Sequence, residues 1–326
     1  MEPFSIEEYK QTYLSEPRLN WLYEEKLFKL FVPTVFGGLE LPMKEGAIRL
    51  IEVAQLQGGL GWTVNLGAGA NWFSGFFKDE AAKEIFSPKN AVIAGSGFTS
   101  GTWEKEENLF KIHGAWTRCT GAKHATFFSL NARNNKEEVK TFVVPRSQIK
   151  LSKEKWPIFG LRNTSSYAID IDQQDIPSQF TFQINGELGS HSYGVHRIPF
   201  EVFARLCMSA SFIGIVQCFI DHCIDHPLNK KSLDFIETSI TPEINEAERN
   251  CLDWAEKIDK SVSNDQMTEQ LASEMKTSLG TNNVKLYQLV QELFLNAGLP
   301  VVEEDNIVHW AYRDVLTAVQ HYMVKP

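Results

Sequence analysis

The stretch HGAWTRCTGAKHATFF, residues 113–128, places a thiol, a hydroxyl, a glycine and an imidazole close together, at Cys119, Thr120, Gly121 and His124. Such residues can form a nucleophile with its base, a metal site, or a loop that holds a larger ligand. The five-residue spacing of Cys119 and His124 occurs in many folds, and no papain-like cysteine signature surrounds the pair. The sequence therefore does not favour a cysteine hydrolase.

A second polar cluster lies in CFIDHCIDH, residues 218–226, where Cys218, His222 and His226 share one stripe of a predicted helix. Histidines four residues apart can bind zinc. No distant fourth ligand is indicated, and histidines are also favoured at the negative end of a helix dipole. We therefore predict no metal site.

A third group lies near the C-terminus, in YRDVLTAVQHY, residues 312–322. Asp314 and His321 fall on one face of a predicted helix, with Cα atoms about 10 Å apart at the rise of an α-helix. This distance is too long for a carboxylate–imidazole hydrogen bond. Each side chain therefore needs its own partner.

The elements that position these residues form three blocks. Apolar residues spaced near the helical period predict helices in residues 1–88 and again in residues 191–326. Residues 89–190 contain short alternating runs broken by Gly, Pro and Asn, which predict a small antiparallel barrel or sandwich. The predicted fold class is α+β, with a helical domain, a β-domain and a C-terminal helix bundle.

Composition narrows the classes of partner. The chain of 326 residues is 43% hydrophobic and has a net charge of −9 without a basic stripe, so we expect no nucleic-acid partner. An acidic N-terminal segment and the lack of a long apolar run predict a cytoplasmic protein with no membrane partner. The five cysteines form no CxxC pair, which favours reduced thiols.

Several phrases in order resemble the acyl-CoA dehydrogenase superfamily of flavoproteins. They are VPTVFGGLEL at 32–41, GLGWTVNL at 59–66, the segment 92–125 that ends in HGAWTRCTGAKHA, WPIFGLRNTSS at 156–166, HRIPF at 196–200 and the segment 297–321 that ends in HWAYRDVLTAVQH. The resemblance covers nearly the whole chain. It implies a helical domain, a middle β-domain and a C-terminal four-helix bundle, the same order that the hydrophobic periodicity predicts.

The resemblance also implies a flavin between the β-domain and the bundle, with FAD or FMN as the cofactor and a homodimer or homotetramer as the assembly. Residues Trp116 through Gly121 would line the isoalloxazine ring, with Cys119 and Thr120 near its reactive edge. Trp156 would pack nearby, and Thr164 and Ser166 would reach the flavin or its phosphate.

The C-terminal phrase resembles the flavin-dependent monooxygenase branch of the superfamily, in which Arg-Asp is followed by a histidine seven residues after the Asp. Arg313, Asp314 and His321 match that pattern. In that branch a reduced flavin, supplied by a separate reductase, reacts with dioxygen to a C4a-hydroperoxide. The resemblance thus implies Arg313 at the cofactor, His321 as the catalytic residue, and an apolar or aromatic small molecule as substrate.

Two alternatives remain at this stage. One is an acyl-CoA dehydrogenase, although the Tyr-Glu-Gly phrase that often carries its carboxylate base does not occur. The other is a non-catalytic relative that keeps the fold. The phrase that holds the FAD pyrophosphate in dehydrogenases is reduced to LFLNAGLP at 293–300, which leaves FAD, FMN or no flavin open.

Overall fold

The computed structural model describes residues 2–226 and 228–326. The N-terminal block is helical, as its periodicity predicts. Its helices are α1 (Ile6–Lys10), α2 (Glu16–Glu24), α3 (Met43–Leu56), α4 (Gly58–Asn71) and α5 (Asp79–Phe86).

Helix α4 is an element that periodicity did not predict, because its sequence GGLGWTVNLGAGAN is apolar on nearly every side. A helix without a polar face is stable only when it is surrounded by protein. Here α4 packs against α3 and α6, and most of its residues are buried. Tertiary burial thus overrides the low helix propensity of its glycines.

The middle block forms one seven-stranded sheet. Its strands are β1 (Ile93–Glu106), β2 (Leu109–Cys119), β3 (Phe127–Arg133), β4 (Val139–Pro145), β5 (Lys150–Lys155), β6 (Tyr167–Pro177) and β7 (Thr181–Phe182). The strand order is β5-β6-β2-β1-β3-β4-β7. The prediction of an antiparallel sheet is wrong for one pair, since β1 and β3 run parallel. The hairpin partner of β1 is β2, so β3 pairs with the free edge of β1 after a reversal at residues 120–126.

The C-terminal block is again helical. Its helices are α6 (Phe200–Asp225), α7 (Lys230–Phe235), α8 (Thr241–Ser263), α9 (Glu269–Asn296) and α10 (Ile307–Ala318). The α+β class is confirmed, whereas the domain boundaries at 88 and 190 stay predictions.

The last helix ends earlier than predicted. Helix α10 stops at Ala318, and His321 lies beyond it in extended backbone, followed by a 3₁₀ turn at Tyr322–Val324. Tertiary hydrogen bonds explain the change of direction: the Asn283 amide donates to Val324 O, and Arg205 donates to Lys325 O. Asp314 and His321 are therefore not on one helix face.

Helix α6 is the central element of the molecule. By length and composition alone it could cross a membrane, but 94% of its most apolar window is buried inside the protein. It contacts α3, α4, α8, α9 and α10. Such a helix forms the core around which the other helices pack.

Candidate functional site

A cavity of about 260 Å³ lies where α4, α6 and the sheet meet. One wall is apolar and partly aromatic, and its side chains are Leu66, Phe73, Ile184, Phe200, Phe203 and Met208. The sheet side is polar but uncharged, with Ser96, Thr120, Ser129, Asn131 and Thr141. Tyr322, in the C-terminal turn, also lines the cavity. Apolar walls with a few polar groups are typical of small-molecule sites.

Two glycines widen this cavity. A Cβ atom added at Gly69 on α4 or at Gly97 on β1 would meet no atom within 4 Å. Both residues line the cavity. Side chains at these positions would therefore project into open space rather than against neighbouring atoms.

The hydroxyl of Thr120 belongs to a buried chain of three hydroxyl groups. Thr164 Oγ1 donates to Leu161 O at 2.8 Å, Ser166 Oγ lies 3.0 Å from Thr164 Oγ1, and Thr120 Oγ1 lies 3.0 Å from Ser166 Oγ. Because each hydroxyl has one proton, Ser166 must donate to Thr164, and Thr120 must donate to Ser166. Thr120 is then left with lone pairs alone, so it presents a hydrogen-bond acceptor to the cavity.

Backbone hydrogen bonds hold the two predicted flavin segments together. Gly121 N donates to Thr164 O at 2.9 Å, and Trp156 N donates to Ser166 O at 3.0 Å. Gly121 has a φ of 79°, which glycine adopts without strain. The Arg118 guanidinium lies 5.0 Å from the centre of the Trp156 ring, on the outer side of this junction. The structure thus brings Thr120, Gly121, Trp156, Thr164 and Ser166 together.

Trp116 and Cys119 occupy other positions than the resemblance implies. Both side chains are fully buried, and the Trp116 indole donates to Asn131 O at 2.9 Å. Neither side chain lines the cavity. Strict alternation would place residues three apart on opposite faces of the strand, but β2 is irregular between Trp116 and Cys119, with Arg118 at a φ of 61°, and both side chains are buried. Trp116 supports the cavity indirectly, through the backbone of Asn131.

Cys119 and His124 do not form a reactive pair. Burial raises the pKa of the Cys119 thiol to about 12, and burial lowers the pKa of His124 to about 4. Both groups are neutral at physiological pH. The His124 ring packs against Phe28, with 5.6 Å between ring centroids, as a structural side chain would.

Arg313 and Asp314 hold the 156–166 loop against α10. Arg313 Nε donates to Phe159 O at 2.8 Å, and Asp314 accepts from Leu161 N. Thr317 Oγ1 accepts from Gly160 N at 2.8 Å. Three successive residues of the loop are therefore tied to one helix. In this structure Arg313 contacts the loop that carries Thr164 and Ser166, rather than lining the cavity.

Asp314 is itself a buried carboxyl group with 4% exposure. Burial raises its pKa to about 7, although the Leu161 N–H acts in the opposite direction. Its second oxygen accepts from the Gln57 amide at 3.2 Å. Gln57 caps α4, so Asp314 links α10, the loop and the helix that forms one cavity wall.

His321 lies next to the cavity-lining Tyr322, and their rings stack with 5.1 Å between centroids. Its Nδ1 accepts from Met323 N at 3.4 Å, which places the proton of the neutral ring on Nε2. Burial, together with the charges of Arg205 and Lys325, lowers its pKa to about 4. His321 is therefore a neutral imidazole with one N–H to donate.

The Cys218 and His222 side chains serve the packing of the N-terminal helix. Tyr9 Oη lies 3.0 Å from His222 Nε2 and 3.4 Å from Cys218 Sγ. No group of three or more metal-ligating side chains occurs within residues 2–226 and 228–326. This cluster thus fixes α1 on α6.

Sequence reasoning missed Asn65, a cavity residue with 2% exposure on α4. Helix α4 was not predicted, so no face could be assigned to its side chains. The available signal was a single amide in the otherwise apolar run GLGWTVNLGAGA.

Comparisons with known proteins agree with this architecture. The chain is 24% identical over 216 residues to the indole-3-acetate monooxygenase of Pseudomonas putida, a match that covers 65% of this chain and 55% of that protein. It is 22% identical over 200 residues to HsaA of Mycobacterium tuberculosis, the oxygenase subunit of a flavin-dependent monooxygenase, covering 58% of this chain and 50% of HsaA. These matches span about half the length of the relatives. No protein-family model matches the sequence.

Structural likeness extends over nearly the whole chain. The crystal structure of HsaA superposes with a TM-score of 0.88 at 16% identity, over 98% of this chain and 92% of HsaA. The chain has the fold of the HsaA monooxygenase. XiaF from Streptomyces, in complex with FADH2 and glycerol, gives a TM-score of 0.87 at 17% identity, over 98% of this chain and 87% of XiaF. The resemblance drawn from the sequence is confirmed at the level of the fold.

Proposed function

We propose that the protein is a flavin-dependent monooxygenase that uses reduced FAD or FMN and dioxygen to oxidise a small apolar molecule. Its relatives are named as flavin-dependent or indole-3-acetate monooxygenases, and XiaF, which shares its fold, binds FADH2. These likenesses support the class of reaction. Both FAD and FMN remain in the proposal, since KijD3, another protein of this fold with a TM-score of 0.78, binds FMN.

The observation that carries the proposal is the position of Thr120. The sequence resemblance assigns this residue to the reactive edge of a flavin, and its hydroxyl lies on the wall of a cavity shared by all three blocks of the chain. The glycines at 69 and 97 leave room beside it. Thr120 would hold the cofactor through its hydroxyl, and Thr164 and Ser166 would fix the direction of that hydrogen bond.

The remaining residues have separate tasks in the proposed reaction. A bound reduced flavin supplies the electrons and the reaction with dioxygen. The apolar wall formed by Phe73, Phe203 and Met208 excludes water from the reacting groups. His321 lies behind the cavity lining, and as a neutral ring with its proton on Nε2 it would act by donating a hydrogen bond rather than by accepting a proton.

A dehydrogenase is the weaker interpretation. Such an enzyme needs a carboxylate base beside its substrate, and no Asp or Glu lines the cavity among the residues that the structure describes. Asp314, the buried carboxyl nearest in sequence to His321, is committed to Leu161 and Gln57. We therefore do not propose acyl-CoA oxidation.

Because HsaA is named as an oxygenase subunit, the proposed reaction includes a separate flavin reductase. The test combines such a reductase, FAD or FMN, and the purified protein with a panel of aromatic compounds in an oxygen electrode. We expect a hydroxylated product in proportion to oxygen consumed. Hydrogen peroxide as the sole product with every compound and both flavins would contradict the proposal.

A further inference from the structure

Asn65 is a buried amide whose hydrogen-bonding capacity is largely unused. Its side chain lines the cavity with 2% exposure, and its Nδ2 has only a thioether acceptor, Met208 Sδ at 3.4 Å. No hydrogen bond to its Oδ1 forms within residues 2–226 and 228–326. Sulfur is a weak acceptor, so the amide lacks a strong partner within the protein. A ligand in the cavity could supply partners to both its N–H and its carbonyl group.

Three other polar side chains of the cavity already donate hydrogen bonds within the protein. Thr141 Oγ1 donates to Asn131 Oδ1 at 2.8 Å, and Asn131 Nδ2 donates to Gly97 O at 3.3 Å. The Thr120 hydroxyl donates into its own chain toward Ser166. On the helical side of the cavity, Asn65 is thus the amide that remains free to pair with a ligand.

The cavity also lacks a positive charge. No Lys, Arg or His lines it among the described residues. The nearest buried cation along α6 is Arg205, whose Nε donates to Glu201 and whose Nη1 donates to Lys325 O. Burying a carboxylate without a cationic partner is strongly unfavourable.

From these contacts we propose that the substrate is a neutral, largely apolar molecule with one hydrogen-bonding group, that Asn65 recognises this group, and that carboxylates are rejected. The site would then differ in specificity from that of its relative which acts on indole-3-acetate. The substrate would occupy the helical side of the cavity, at Asn65, and the proposed flavin the sheet side, at Thr120. The inference rests on the proposed function only in calling the bound molecule a substrate, since the binding test is made without flavin.

The test compares matched neutral and anionic ligands by calorimetric titration of the flavin-free protein near pH 7.5. Suitable pairs are indole-3-acetamide with indole-3-acetate, and phenylacetamide with phenylacetate. The members of each pair have nearly the same shape and differ in charge. We expect each amide to bind at least about tenfold more tightly than its acid, as the burial cost of an unpaired ion requires.

Two variants test whether Asn65 is the residue that binds the amide group of the ligand. Asn65→Leu keeps the side-chain volume and should lower the affinity for the amides by about tenfold, the value of a lost hydrogen bond. Asn250→Leu makes the same exchange on α8, outside the cavity, and should leave both affinities unchanged. Thermal unfolding of each variant reports its folding.

Three results would overturn the inference: a carboxylate that binds as tightly as its amide, an Asn65→Leu variant that keeps full amide affinity, or no amide binding at millimolar concentration. The comparison in the wild-type protein needs no variant, so it stands even where Asn65→Leu does not fold. Since no flavin is present, its outcome is independent of whether the protein proves to be an oxygenase.

Discussion

A hydrogen bond between the Thr120 hydroxyl and N5 of a flavin would have a different direction for each oxidation state of the flavin. The hydroxyl chain leaves Thr120 as an acceptor. The N5 position of a reduced flavin carries a hydrogen and donates, whereas the same nitrogen in an oxidised flavin accepts. With the reactive edge of the ring at Thr120, as the sequence resemblance implies, the site favours the reduced form.

Ser166→Ala tests this direction. The substitution removes the acceptor for the Thr120 proton, so Thr120 becomes free to donate into the cavity. We expect the preference for reduced over oxidised flavin to fall by about tenfold, the value of one hydrogen bond. The measurement is the ratio of the two dissociation constants under anaerobic conditions. An unchanged ratio would show that Thr120 does not face N5.

His321 predicts a pH dependence of stability. Its pKa is about 4 in the folded protein and near 6.5 when unfolded, so the unfolded state binds more protons between these values. Stability contributed by the neutral ring is therefore complete above about pH 6.5 and is lost as the pH falls toward 4.

The variant His321→Gln should take up about one proton fewer than the wild-type protein on unfolding at pH 5. This difference is measured as a shallower dependence of the unfolding free energy on pH. His124 and His196 also have pKa values of about 4, so part of the dependence should remain. Identical slopes for variant and wild type would mean that His321 is solvated.

At the scale of elements, the docking of the 156–166 loop on α10 positions Thr164 and Ser166. This docking depends on close approach of two backbones at Gly160, where an added Cβ would lie 2.0 Å from Arg313 O. Gly160→Ala should destabilise the protein by about 1–3 kcal/mol, as overpacking does. Gly194→Ala is the control, since its Cβ would meet no atom within 4 Å. Equal unfolding midpoints in urea for the two variants would refute this role.

Helix α4 offers a matched pair of glycines two residues apart. A Cβ at Gly67 would lie 2.5 Å from the Phe28 ring, whereas one at Gly69 would enter the cavity. Gly69→Ala should therefore stabilise the protein by about 0.5–1 kcal/mol through helix propensity. Gly67→Ala should destabilise it by about 1–3 kcal/mol. Denaturant unfolding checks both, and destabilisation by Gly69→Ala would contradict the open space there.

These elements also mark the limits of prediction from sequence. Helices such as α8 follow from their amphipathic period, because one face is buried and the other is solvated. Helix α4 has no such contrast, and the end of α10 is set by Asn283 and Arg205, which are distant in sequence. The parallel pairing of β1 and β3 could not be predicted either, because local sequence does not determine which edge of β1 a later strand joins.

At the scale of the whole molecule, the order of a helical block, a β block and a second helical block was predictable, because the spacing of apolar residues along the chain changes at each junction. The site was predictable in part: the sequence pointed to Thr120, Thr164 and Ser166, which lie together. It also pointed to Trp116, whose ring faces the sheet interior. Asn65 could not be predicted as a binding residue, because its role depends on the cavity that its side chain lines. That cavity exists only once the three blocks of the chain have packed together.

An anaerobic titration measures whether this cavity binds a reduced flavin. Purified protein is titrated with chemically reduced FAD and FMN, and separately with the oxidised forms, by calorimetry. We predict saturable binding of at least one reduced flavin, tighter than that of its oxidised form. Absence of binding by both flavins in both oxidation states would show that this cavity is not a flavin site.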